Sequence, residues 1–101
     1  LLMSDNEQLN EEFNIDELPF KYNLKYPIER KDGETIESIS IKRAPIGADF
    51  KGIVLTKMTL DDQIKILKNI TGQPAIVFSK MHAYDLFTVN SYLQDFLPDI
   101  G

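Results

Sequence analysis

Proton chemistry would begin at histidine, and this chain of 101 residues has one, His82. A Ser-His-Asp nucleophile system needs its imidazole held by an acid and facing a hydroxyl. His82 stands at the start of a helical pattern, where a surface or helix-capping role suits it. Asp61-Asp62 supplies neighbouring carboxylates, but adjacent residues on a helix diverge by about 100° and do not face one substrate bond. They suit the first turn of a helix instead. Gly47-Ala48-Asp49-Phe50-Lys51-Gly52 places two glycines around a lysine but lacks the Gly-Lys-Ser/Thr ending that cradles phosphate. The chain has no cysteine, which excludes a disulfide framework, a thiolate nucleophile and a Cys-ligated zinc site. No residue is assigned a catalytic, cofactor-binding or metal-binding role, and an enzyme is not expected.

Nucleic-acid binding finds equally little support. Phe20, Tyr22 and Tyr26 could stack bases on a sheet face, yet Lys21 and Lys25 alternate onto the opposite one. The last helical segment offers Asp85, Asn90, Gln94 and Asp95 and no cation to meet phosphate, which argues against a recognition helix. The formal charge of -5 is uneven. Residues 1–19 hold Asp5, Glu7, Glu11, Glu12, Asp16 and Glu17 and no base, a charge of -6, while residues 20–101 hold 11 bases against 10 acids. A near-neutral body therefore follows an acidic tail. No apolar run approaches the roughly 20 residues needed to cross a bilayer, and no basic segment followed by an apolar one marks an export signal. Neither nucleic acid nor membrane is an expected partner.

The elements that would position these side chains divide the chain at residue 19. Residues 1–19 have sparse hydrophobes, Phe13, Ile15 and Leu18 among them, and are expected to be a flexible or loosely docked tail. Met3 is the expected initiator, with the two leucines before it an addition or an alternative start. Residues 20–101 read as one α+β domain, an N-terminal β-hairpin packed on three to four short α-helices. Phe20, Tyr22, Leu24 and Tyr26 alternate as one apolar strand face until Pro27 interrupts it. Asp32-Gly33 predicts a type I′ hairpin turn. Ile36, Ile39 and Ile41 fit one face of the return strand only with a bulge near Glu37-Ser38.

Ile46, Phe50, Ile53 and Val54 then fall at helical spacing, predicting a short helix that ends near Leu55. Thr59 and Asp62 have capping-box spacing ahead of a helix burying Leu60, Ile64, Leu67 and Ile70, with Gly72 at its C-terminal end. Pro74 opens a short helix to about Ser79. A final helix runs from His82 or Ala83 to Leu97, with Leu86, Val89, Asn90, Leu93, Phe96 and Leu97 on or near one face, and Pro98 stops it.

From Gly33-Glu34-Thr35-Ile36 onward the order of motifs resembles the tail assembly chaperones of contractile-tailed phages and prophages. A strand ending in Pro leads to an Asp-Gly-Glu-Thr-Ile hairpin and then to Arg43-Ala44-Pro45-Ile46-Gly47-Ala48-Asp49-Phe50, which matches an Arg-x-Pro-x-x-x-Asp-Leu/Phe pattern. Thr71-Gly72-Gln73-Pro74, Met81-His82-Ala83-Tyr84-Asp85-Leu86 and Phe96-Leu97 extend the likeness, which covers about residues 20–100. His82 departs from it, since Ser or Thr would be usual there, and the acidic tail lies outside it.

The resemblance implies a non-catalytic chaperone, without cofactor, that binds the tape measure protein in the host bacterial cytoplasm. It would keep that polypeptide soluble until tail tube subunits polymerise, and would then be absent from the mature virion. The tail tube protein is a further implied contact, and self-association into a homo-oligomer is compatible with the reading. The alternative is a minor structural subunit of the tail or baseplate. Arg43, Pro45, Asp49, Phe50 and Asp85 carry the family pattern. Pro45 is expected to end the strand, Asp49 to accept from Arg43 or cap the helix, and Phe50 to be core. Tyr84, Phe87 and Tyr92 are the candidate partner contacts, because Leu86, Val89, Leu93 and Phe96 should face inward.

Overall fold

The computed structural model describes residues 12–97. Alternating apolar residues build strand β1, Phe20–Glu29, which pairs antiparallel with β2, Thr35–Ile41. Phe20 lies opposite Ile41, Tyr22 opposite Ile39 and Ile28 opposite Ile36. The connection is a three-residue loop, Lys31-Asp32-Gly33, and differs from the predicted type I′ turn. Gly33 N–H donates to Arg30 O at 3.0 Å, Gly33 alone takes a positive φ of 90°, and Arg30 N–H donates to Glu34 O at 2.7 Å. This is a type I turn closed by a left-handed glycine; a type I′ turn would also require positive φ at Asp32.

The sheet irregularity lies level with Glu37, where the return strand is expected to bulge, but the extra residues are in β1 and not in β2. The register steps from Asn23 opposite Ser38 to Ile28 opposite Ile36, five residues along β1 against two along β2. Pro27 therefore lies inside β1, in its bulged part, where the missing N–H removes no ladder bond. Tyr26 leaves the apolar face there and is 43% exposed, while Phe20, Tyr22, Leu24 and Ile28 stay buried.

Where a helix is predicted from Ile46 to Leu55, the chain forms one 3₁₀ turn, Gly47–Phe50, and a second, Leu55–Lys57, begins where that helix would end. Gly52, at φ 79°, turns the chain between them. Helix α1, Leu60–Thr71, starts as its sequence predicts: Thr59 Oγ1 accepts from Asp62 N–H at 3.1 Å and Asp62 returns a carboxylate to Thr59 N–H at 3.1 Å. Gly72, at φ 75°, ends it by donating to Lys68 O at 2.9 Å. Its buried stripe is shifted toward Ile66, Leu67, Ile70 and Thr71, leaving Ile64 half-buried and Leu60 exposed. Helix α2 spans Ala75–Lys80 with Pro74 as its N-cap, and α3 spans Ala83–Gln94. Beyond Gln94 the N–H groups of Asp95, Phe96 and Leu97 bond three residues back, so the helix tightens and ends earlier than Leu97. Pro98 lies outside the described residues.

The result is an α+β domain in which α1 packs on β2, α3 packs on β1, and α1 touches both other helices. Phe78, Ile39, Ile41, Ile66, Leu67, Ile70, Val89 and Leu93 are fully buried between these elements. Of the acidic tail, residues 1–11 lie outside the described residues, and residues 12–19 include contacts with the domain. The Phe13 ring stacks on Tyr92 at 4.6 Å and meets Phe20 and Phe96 edge-on at 5.0 and 5.6 Å. Leu18 also packs against the core, whereas Ile15 is exposed. Packing thus reaches back past residue 20. Phe13→Ala is expected to lower the unfolding free energy by about 2 kcal/mol through lost burial and ring contacts, read as a shift in urea midpoint at constant slope.

Candidate functional site

Two carboxylates and one aromatic surface hold the residues that the sequence singled out. Asp85 sits in the first turn of α3 and is fully buried against the bulge of β1. Its Oδ1 accepts from the Tyr22 hydroxyl at 2.7 Å and from Lys25 N–H at 2.9 Å, and its Oδ2 accepts from Tyr26 N–H at 3.0 Å. A bulge leaves backbone donors without ladder partners, and Asp85 satisfies two of them. Burial, together with the neighbouring carboxylate of Asp85, pushes the Tyr22 phenol well above its ordinary value and keeps it a neutral donor.

Asp49 does the corresponding work after β2. Arg43 Nη1 and Nη2 donate to it at 2.8 and 3.1 Å, Ile46 N–H at 2.7 Å and Asn69 Nδ2 at 3.1 Å. Both expected roles are realised, since Asp49 pairs with Arg43 and caps the turn at Ile46. Hydrogen bonding from Arg43 lowers its pKa to about 2 against the opposing effect of burial. Asn69 ties this lock to α1. Pro45 lies beyond the end of β2 and is half-buried, and Phe50 is a half-buried side chain packed against the core. With every oxygen engaged by donors, each carboxylate serves to hold backbone segments in place.

The third feature faces solvent. His82 is the N-cap of α3, its Nδ1 accepting from Tyr84 N–H at 3.0 Å, and its ring stacks on Tyr26 with centroids 3.9 Å apart. Lys25 Nζ lies 4.5 Å from the Tyr84 ring centroid and 5.8 Å from that of Tyr26. Phe87 follows Tyr84 by three residues on the same helix face; Tyr84 is 52% exposed and Phe87 61%. The bulge swings Tyr26 toward α3, so strand and helix together present Tyr26, His82, Tyr84 and Phe87 with one cation among them. Three large side chains with apolar rings, Tyr26, Tyr84 and Phe87, are thus exposed to solvent on this side of the domain.

Tyr92 does not join this surface, contrary to the sequence expectation. It is half-buried among Phe13, Phe20 and Tyr22, because the tail folds back over that end of α3. Sequence reasoning also missed the Asp85 clamp and the Tyr26–His82 stack. The available signal was Pro27 within an apolar alternation, which implies a bulge and hence freed N–H groups in need of an acceptor. Among the described residues no group of three or more His, Cys, Asp or Glu is placed to hold a metal ion, and no helix is long and apolar enough to cross a membrane. No family model, curated protein or solved structure matches the chain.

Proposed function

We propose that this protein is a non-catalytic tail assembly chaperone of a contractile-tailed phage or prophage, acting in the host bacterial cytoplasm on the tape measure protein. The carrying observation is the ordered motif set, from Asp32-Gly33-Glu34-Thr35-Ile36 through Arg43-Ala44-Pro45 and Asp49-Phe50 to Asp85-Leu86. Arg43 with Asp49, and Asp85, act as fixed struts that preserve the shape of the domain. The partner would meet the exposed face of Tyr26, Tyr84 and Phe87, whose aromatic rings offer large apolar area at small entropic cost to a helical, apolar polypeptide.

Co-expression with the neighbouring tape measure protein is expected to yield a soluble complex. Equal recovery of that protein, soluble and uncomplexed, without the chaperone would overturn the reading. The double variant Tyr84→Ser/Phe87→Ser is expected to fold normally and to weaken the complex about 100-fold, as loss of two central aromatic anchors does, measured by pull-down and titration calorimetry. A second reading, a minor structural subunit of the tail or baseplate, draws on the two outer edges of the two-stranded sheet, which could accept a further strand. Mass spectrometry of purified particles separates the two, since a structural subunit remains in the virion and a chaperone does not.

A further inference from the structure

A groove of about 340 Å³ lies between the turn end of the hairpin and α2, lined by Ile28, Ile36, Pro74, Ile76 and Val77 with Arg30, Lys31 and Lys80 among them. It shares no residue with the aromatic face. Ile76 is 57% exposed although it belongs to this apolar floor. No carboxylate is among the lining residues, and among the described residues Lys31 and Lys80 enter no ion pair. Arg30 has only a weak one, its Nε lying 3.9 Å from Asp32 with both side chains about half exposed. A chain of formal charge -5 thus concentrates three cations around one apolar trough.

We infer that this groove is a second docking site, whose occupant is an acidic amphipathic segment of a partner protein. Its leucine-like side chains fill the floor and its carboxylates meet Arg30, Lys31 and Lys80. Charge complementarity selects this occupant. A second copy seated symmetrically on the same groove would bring three cations against three cations, which opposes association. The lysines are flexible point charges, suited to reading the sign of a peptide and poorly suited to fixing a small ligand in one pose.

The test uses the full chain and a fluorescein-labelled peptide of 12 residues in which pairs of Leu alternate with pairs of Glu, with fluorescence anisotropy as the readout. Replacing each Glu of the peptide by Lys is expected to weaken binding at least about tenfold, and raising salt weakens the acidic peptide. On the protein, Ile76→Asp and Lys80→Glu are each expected to weaken the acidic peptide about tenfold, whereas Phe87→Ser leaves it unchanged. Ile76 and Lys80 are exposed, so both variants retain the fold, verified by circular dichroism. Equal binding of the two peptides, no binding of either, or indifference to Ile76→Asp would overturn the proposal. So would sedimentation showing a dimer that Ile76→Asp dissociates, because the groove would then be covered by another copy. Loss of tape measure binding on Tyr84→Ser/Phe87→Ser reports on the other face, so the two readings fail separately.

Discussion

Asp85→Ala is expected to lower the unfolding free energy by about 3–5 kcal/mol, enough to consume much of the stability of a domain this small. The carboxylate is fully buried and accepts three hydrogen bonds, from the Tyr22 hydroxyl and the Lys25 and Tyr26 N–H groups. Removing it leaves those donors facing a void, and each unsatisfied donor costs about 1–3 kcal/mol. Asp85→Asn should retain part of the stability, because its carbonyl can accept as Oδ1 does while its amide opposes the Tyr26 donor. Tyr22→Phe removes one bond from the same cluster and should cost about 1 kcal/mol, and the double variant Asp85→Ala/Tyr22→Phe should cost less than the sum. Urea denaturation of the four proteins closes that cycle. Additive losses would show that Tyr22 and Asp85 do not act together. Hydrogen exchange at Lys25 and Tyr26 in Asp85→Asn reports the bulge directly, since protection there should fall before that of the core strands.

The second large effect is acid sensitivity centred on Asp49. Its folded pKa of about 2 lies below the unfolded value of roughly 3.9. A depressed carboxylate pKa contributes stability that is fully present above the unfolded value and is lost as pH falls toward the folded one. The window is therefore about pH 4 to 2. The depression corresponds to about 2 kcal/mol, a figure set somewhat below the full pKa difference because the Arg43 side chain is 43% exposed and its attraction partly screened. Asp49→Asn is expected to be about 2 kcal/mol less stable than the parent at pH 6, with the gap shrinking by more than half at pH 2.5 as the parent carboxylate protonates. Urea midpoints at the two pH values measure it. A gap independent of pH would show that Asp49 contributes through neutral packing and that its ionisation is immaterial.

These two carboxylates differ in how legible they were. Asp49 stands six residues from Arg43 and three from Ile46, and both partnerships could be read locally from a turn in which a short acid folds back on its neighbours. Asp85 looked like an ordinary first-turn acid, since its partners lie 59 to 63 residues away. The aromatic face shows the same division. Tyr84 and Phe87 followed from the helical period, because their neighbours Leu86, Val89 and Leu93 are the buried ones. Tyr26 and Tyr92 exchanged places relative to expectation. The bulge carries Tyr26 out to His82, and Phe13 covers Tyr92.

What the sequence determined by itself was everything with a local physical cause. Alternation, the Asp-Gly pair, the capping box at Thr59 and Asp62, the glycine at residue 72 and the helical spacing of the last segment specify an α+β hairpin and helices, since each signal acts within a few residues. The split of charge between an acidic tail and a near-neutral body was likewise explicit. Tertiary structure alone decided which strand carries the bulge, which turn closes the hairpin, why Ile46–Leu55 forms a 3₁₀ turn and no α-helix, and which side of α1 is buried. Those outcomes depend on distant groups competing for the same donors and the same apolar surface. A period of two or 3.6 residues says which side chains share a face, but only packing against the rest of the chain says which face is covered.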